Sequence, residues 1–271
     1  MRSPNSDVVL LHGITSSGRA WDDVGTDLAR YCNVYAPTTI GHRGGTPAPQ
    51  PCSLADIVDD AERYLDRAGL RRPHLVGHSL GGFTALELAR RGRAASVTAI
   101  SPAGFWLAGS QPLMEGLRRS VLIARLASPL LKTLVSTAAG RRLWMGAALH
   151  RPASMTPRQA RAVIDDQAHC TLATRLRIGD DEMVTRLDPL PCPVTVAWAE
   201  HDQILPVGIY REAVHTRLPG ASFVVVPDVG HAAIVDDPKL IIRIILATMN
   251  RTADSRGAAG LGLPDSEFGP H

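Results

Sequence analysis

The stretch Leu75-Val76-Gly77-His78-Ser79-Leu80-Gly81-Gly82 constrains this chain more than any other. An apolar run leads into it, and a helical pattern leads out as far as Gly92. A strand ending on a serine between close glycines has three readings: a phosphate loop, a plain tight turn, or a nucleophile on a strained corner. A phosphate loop requires GxxxxGK[ST], and no such lysine stands here. A dinucleotide fingerprint requires GxGxxG, and glycines at 77, 81 and 82 are wrongly spaced for it. The match is GxSxG, Gly77 to Gly81, at a strand–helix junction. There, small residues let the two backbones pass closely while the serine side chain projects above the sheet. The helix starting after Ser79 turns its unpaired N–H groups and positive dipole end toward any anion formed at that hydroxyl.

Six short apolar runs recur, at 7–13, 33–39, 73–79, 95–101, 193–200 and 221–228. They are β-branched and lack clean alternation, as strands covered on both faces do. Helical patterns lie between them. Leu54, Ile57, Val58, Ala61, Leu65 and Ala68 share one face, with Ser53 as N-cap and Gly69 as stop. Strand–helix alternation predicts an α/β fold with a mostly parallel, doubly wound sheet and right-handed crossovers. The interval 103–190 is far longer than one crossover needs. It holds helix-like pieces at 113–126, 130–149 and 156–170, punctuated by prolines. It reads as a helical cap inserted into a core of residues 1–102 and 191–250. The Gly/Ala/Pro-rich tail, 251–271, reads as disordered.

A serine hydroxyl needs a base, and the base needs an orienting acid. Asp202 follows the fifth strand and His231 the sixth, so both belong at the same rim as Ser79. Their order, Ser, Asp, His, is the one this architecture uses. No Asp occurs between Asp66 and Asp165, which nearly closes the option of an acid after the fourth strand. Glu200 is the nearest rival to Asp202. His215 falls inside a helical pattern and His271 ends the chain, whereas His231 sits on a glycine-preceded loop. His78 lines the corner. His12 and His42 lie in turns and read as structural.

Five pieces in order, LLHGITSSGRAW, APTTIGHRGGT, GHSLGG, AEHDQILP and VGHAAIVDDP, carry a resemblance over residues 7–250. The chain resembles the α/β-hydrolase superfamily, in its serine-nucleophile, esterase- and lipase-like branch with a helical cap. The superfamily's Asp followed four residues later by Pro fits Asp202–Pro206 and not Glu200. The resemblance implies an oxyanion hole from the backbone N–H groups of Ile14 and Leu80, with Gly13 freeing the turn. It implies a small-molecule acyl ester as substrate and no metal or organic cofactor. Thioester or carbon–carbon bond hydrolysis and perhydrolysis stay open on the same triad. A ligand-binding receptor that retains the triad is the alternative from another class. Serine at the corner argues against epoxide hydrolases and haloalkane dehalogenases, whose relatives use Asp there. Members of that superfamily usually carry two further strands ahead of the HG strand. With six residues before Asp7 the sheet is expected to lack them and to start with the runs at 7–13 and 33–39, leaving one edge bare that invites pairing, as in a homodimer.

In the cap, Trp106, Leu107, Met114, Trp144, Met145 and Leu149 are candidates for an apolar pocket, joined from the core by His12, Gly13, His78 and the Ile14 side chain. Each cap residue equally suits plain packing of cap on core. Residues 103–164 carry nine Arg and Lys against one acid, Glu115, a local charge of +8. That suits an anionic substrate such as an acyl carrier thioester, or simply a solvated arginine face. The whole chain is only +3, too little to argue for nucleic acid. No apolar run reaches the roughly 18–20 residues of a membrane span. Without a secretion signal, the four cysteines read as reduced thiols of a cytoplasmic protein.

Overall fold

The computed structural model describes residues 6–106, 111–179 and 182–260. Six strands form one sheet: β1 (Asp7–Leu11), β2 (Asn33–Tyr35), β3 (His74–His78), β4 (Ser96–Ile100), β5 (Val194–Ala199) and β6 (Ser222–Val226). The order is β2-β1-β3-β4-β5-β6, and every neighbouring pair is parallel. Each strand lies inside an apolar run of the sequence. β2 is shorter than its run because the chain turns away at Pro37, which has no N–H for a ladder. Thr38 then accepts the Gly18 N–H at 3.0 Å, tying the two segments that follow β1 and β2.

The pleat sorts side chains to two faces. Val8, Leu10, Val76, Ile100, Ala197 and Ala199 pack against α1 (Asp22–Leu28) and α11 (Pro238–Gly260). Val9, Leu11, Leu75, Val97, Ala99, Val196 and Trp198 pack against α2 (Leu54–Arg67), α3 (Leu80–Arg90) and α9 (Val207–Arg217). Ile241 and Ile245 of α11 are fully buried, each worth about 1.5–3 kcal/mol of apolar burial. The one-sided pattern of α2 starts in a capping box. The Ser53 hydroxyl accepts from the Asp56 N–H, and the Asp56 carboxylate accepts from the Ser53 N–H. It stops at Gly69, whose φ of +70° suits a glycine.

Between β4 and β5 stand α4 (Gln111–Leu126), α5 (Ser128–Leu134), α6 (Ala138–Met145), α7 (Pro157–Ala168) and α8 (Leu172–Arg175). α4 to α7 bury a core of their own around Ala124, Leu131, Val135, Met145, Ile164 and Ala168, while Met114 and Val121 of α4 and Leu172 and Ala173 of α8 join the sheet core. The cap's own core packs on Ala232 and Val235 at α10 (Ala233–Asp236). The last helix runs past Arg251, where the sequence suggested a tail, to Gly260. Arg251 donates to Thr195 at 2.5 Å and to Ser222, so it fastens the helix to β5 and β6. Residues 261–271 of that tail lie outside the described residues. Among the described residues all four cysteines are free, and no helix is long and apolar enough to cross a membrane.

Candidate active site

The sheet order reverses between β1 and β3, and the site opens above the carboxyl ends of these two strands. Ser79 sits between β3 and α3 with φ 52° and ψ −115°, a conformation costly for a residue with a Cβ. The corner is held from both sides. The Ser79 N–H donates to the Ile100 carbonyl at 2.9 Å, and the Ser79 carbonyl accepts from Gly82, Phe83 and Ala103. A Cβ on Gly77 would run into the Gly81 carbonyl, and one on Gly81 into the Leu11 carbonyl. The two glycines are therefore required by contact, as the motif reading expects.

Asp202 follows β5 and His231 follows β6. The Asp202 Oδ2 lies 2.7 Å from Nδ1 of His231, and its Oδ1 accepts the N–H groups of Ile204 and Leu205 at 2.9 and 2.7 Å. Burial opposes the Asp202 charge, but these donors, the His231 ring and the Ser101 hydroxyl together hold its carboxyl below the usual range. A carboxylate on Nδ1 fixes the tautomer, so Nε2 of His231 carries the lone pair. Ser79 and His231 line one cavity of about 690 Å³. Among the described residues the Ser79 hydroxyl has no hydrogen-bond partner, His231 included; such contacts are often long until substrate tightens them.

Ile14 and Leu80 face the same cavity. Neither backbone N–H has a hydrogen-bond partner among the described residues. The loop carrying Ile14 is braced by two neutral imidazoles. His12 Nδ1 donates to the Gly13 carbonyl at 2.8 Å, and His42 Nε2 accepts the Thr15 N–H at 3.2 Å. His12 Nε2 in turn accepts from Thr39, and the two rings meet edge to face at 4.7 Å. Burial pushes His12 down to about 4 and His42 to about 3, so both are uncharged near neutral pH. His78 donates from Nε2 to the His231 carbonyl at 2.9 Å; burial and the His231 ring push it to about 3.

Gly13, His78, Trp106, Met114, Met145 and Leu149 line the cavity. His12 and Trp144, two further pocket candidates, do not. His12 points away to Thr39, and the Trp144 indole donates to Gln167 at 3.1 Å inside the cap. Leu107 lies outside the described residues. Two groups are given no role by the sequence reading. Asp236 accepts three N–H groups: Gly230 at 2.8 Å, beside His231, and His150 and Arg151 at 2.8 and 2.9 Å, from the cap. Asp166 of α7 accepts from Ser17 at 2.6 Å and pairs with Arg19, clasping the cap to the Ile14 loop. Both sit in acidic doublets, Asp165-Asp166 and Asp236-Asp237.

The basic cap is largely self-satisfied. Arg118, Arg125 and Arg141 donate to main-chain carbonyls, Lys132 pairs with Asp165 at 2.5 Å, and Arg119 with Glu115 at 3.0 Å. At the polar end of the cavity Arg19 and Arg158 face Asp22, Asp23 and Asp166, so positive charge does not dominate there.

The parallel sheet, the inserted helices and the strained serine corner define an α/β-hydrolase fold. The chain belongs to the alpha/beta hydrolase family, whose sequence profile matches residues 8–244. Epoxide hydrolase EphH of Mycobacterium tuberculosis is 32% identical over 203 residues, 71% of this chain and 93% of its own length. A thermophilic esterase from Thermogutta terrifontis superposes with a TM-score of 0.65 at 20% identity, over 93% of this chain and 92% of the esterase. Carboxylesterase CesB from Bacillus subtilis gives 0.68 at 18% identity, over 91% and 84%. At such identities these two structures speak to the fold alone.

Proposed function

We propose that this chain is a serine hydrolase that cleaves small or medium, uncharged acyl esters through an acyl-enzyme intermediate. The observation that carries the reading is the Asp202–His231 pair at 2.7 Å opening on the same cavity as Ser79. Ser79 Oγ attacks the carbonyl carbon while His231 Nε2 takes its proton. Ile14 and Leu80 N–H groups receive the negative charge on oxygen, each donor worth about 10²–10³ in rate. His231 then protonates the departing alkoxide, leaving an acyl ester on Ser79. Water enters, His231 takes its proton, and the acid departs as Ser79 regains a hydrogen. Asp202 stabilises the imidazolium throughout.

The cavity supports an apolar acyl group. Trp106, Met114, Leu117, Leu149 and Ile178 supply its walls, and the opposing charges at its polar end favour no net anion. The epoxide chemistry named for EphH fits Ser79 poorly. Opening an epoxide with an alkoxide would leave an ether, with no carbonyl for water to attack, and the enzyme would stop after one event.

A chain-length series of p-nitrophenyl esters beside matching thioesters and an epoxide tests the reading. We expect ester turnover, stoichiometric labelling by a fluorophosphonate, and loss of about 10⁴-fold or more in kcat for Ser79→Ala. Labelling without turnover of any ester or thioester would favour a receptor; thioester turnover alone would move the substrate class. Turnover by Ser79→Ala close to wild type would refute the nucleophile.

A further inference from the structure

Three exposed side chains from three separate segments converge outside the catalytic cavity. His150 comes from the cap after α6, His201 from the loop between β5 and α9, and Asp228 from the loop between β6 and α10. One ligand atom from each lies within 4.8 Å of the other two. The imidazoles of His150 and His201 stack at 4.2 Å with planes 19° apart. None of the three has a part in the hydrolytic steps above.

Their backbones are already fixed. The His150 N–H donates to Asp236 at 2.8 Å, the His201 N–H to the Val229 carbonyl at 3.0 Å, and the Asp228 N–H to Glu200 at 3.1 Å. Asp228 is also held at φ +57°, the left-handed region that a non-glycine residue enters at a cost. Only side-chain rotations remain to bring the donors together.

We propose that His150, His201 and Asp228 form a binding site for a divalent transition-metal ion of the zinc type. Two imidazoles and one carboxylate suit borderline ions and not calcium or magnesium, which take oxygen ligands. Bonds of about 2.0–2.2 Å in a tetrahedron set donors about 3.3 Å apart, so the cluster closes by about 1.5 Å at most. Glu200, 3.7 Å from His201 Nε2, is placed as a fourth ligand or as an acceptor behind it. Arg151, 3.9 Å from Asp228 and half-exposed, is the cation that the ion displaces. The ion takes no part in ester chemistry. It ties the cap to the segments that hold Asp202 and His231, because His201 precedes Asp202 and Asp228 lies three residues before His231.

The test needs no substrate and stands apart from the hydrolysis reading. Tag-free wild-type chain, with its thiols kept reduced by a non-chelating phosphine, is titrated with zinc chloride by calorimetry and with cobalt(II) by visible absorption. We expect one zinc equivalent bound in the micromolar range, a tetrahedral cobalt spectrum, and a melting midpoint raised by a few degrees. His150→Ala and Asp228→Asn should each weaken binding by about tenfold or more and abolish the zinc-dependent shift, while melting like wild type without metal. Equal zinc affinity in wild type and in the His150→Ala/His201→Ala double variant would overturn the site, as would a wild type that binds no zinc.

Discussion

At the scale of single residues, the corner at Ser79 is sustained by what its neighbours lack. Gly81 has no room for a methyl group because the Leu11 carbonyl occupies that space. Gly81→Ala therefore forces β1 and α3 apart, and we expect a loss of about 3 kcal/mol or more in urea unfolding, with ester turnover falling further than stability. Gly116, around which a Cβ meets nothing, is the matched control and should tolerate alanine. Ser79, Asp202 and His231 were readable in the sequence because each sits in a short motif at a strand end, where backbone rules fix its placement. His12 and Trp144 were misplaced as pocket residues because a side chain's direction depends on distant partners, Thr39 and Gln167, that no local pattern announces. Asp236 was missed for the same reason: its three donors come from segments about 6 and 86 residues away.

Among elements, the junction of α10 with the cap concentrates most consequence. One carboxylate joins the loop of His231 to the turn after α6, and Ala232 N–H adds a bond to the Ala148 carbonyl at 2.8 Å. Asp236→Ala leaves three N–H groups without their acceptor. We expect a cost of about 1–3 kcal/mol and a drop in kcat larger than the change in KM, since the loop of His231 loosens while the apolar walls persist. The pH dependence of kcat/KM should keep its shape, because Asp236 holds no proton in the reaction; a moved profile would instead make it part of the acid–base chemistry. The strands and most helices were legible element by element, from β-branched runs, Ser53 and the glycine stops. The way the inserted helices seat on the core was not, because α5 to α7 bury their apolar faces on one another while α4 divides its face between them and the sheet core and α8 joins the sheet core. The extension of α11 to Gly260 was hidden by a glycine-rich composition that the Arg251 anchor to β5 outweighs.

For the whole molecule, buried neutral imidazoles link folding to acidity. His12, His42 and His78 titrate at about 4, 3 and 3 in the folded chain, against about 6.5 when unfolded. Below pH 6.5 the unfolded chain therefore binds more protons than the folded one. The stabilisation is complete above pH 6.5 and is lost progressively as pH falls toward about 3. At pH 5 each imidazole costs about 2 kcal/mol, so the three together remove on the order of 6 kcal/mol from a typical total of 5–15. Urea midpoints at pH 7.5 and 5.0 should differ clearly; an unchanged midpoint would count against neutral burial.

The position of the inserted helices has an evolutionary reach. Everything proposed to react is encoded either before residue 103 or after residue 190, just past the carboxyl ends of strands β1, β3, β5 and β6. The intervening ninety or so residues supply surroundings and none of the reacting atoms. A lineage, or an engineer, can recut that interval to admit a different guest and leave the relay beneath it untouched, provided the clasps at Asp166 and Asp236 are rebuilt.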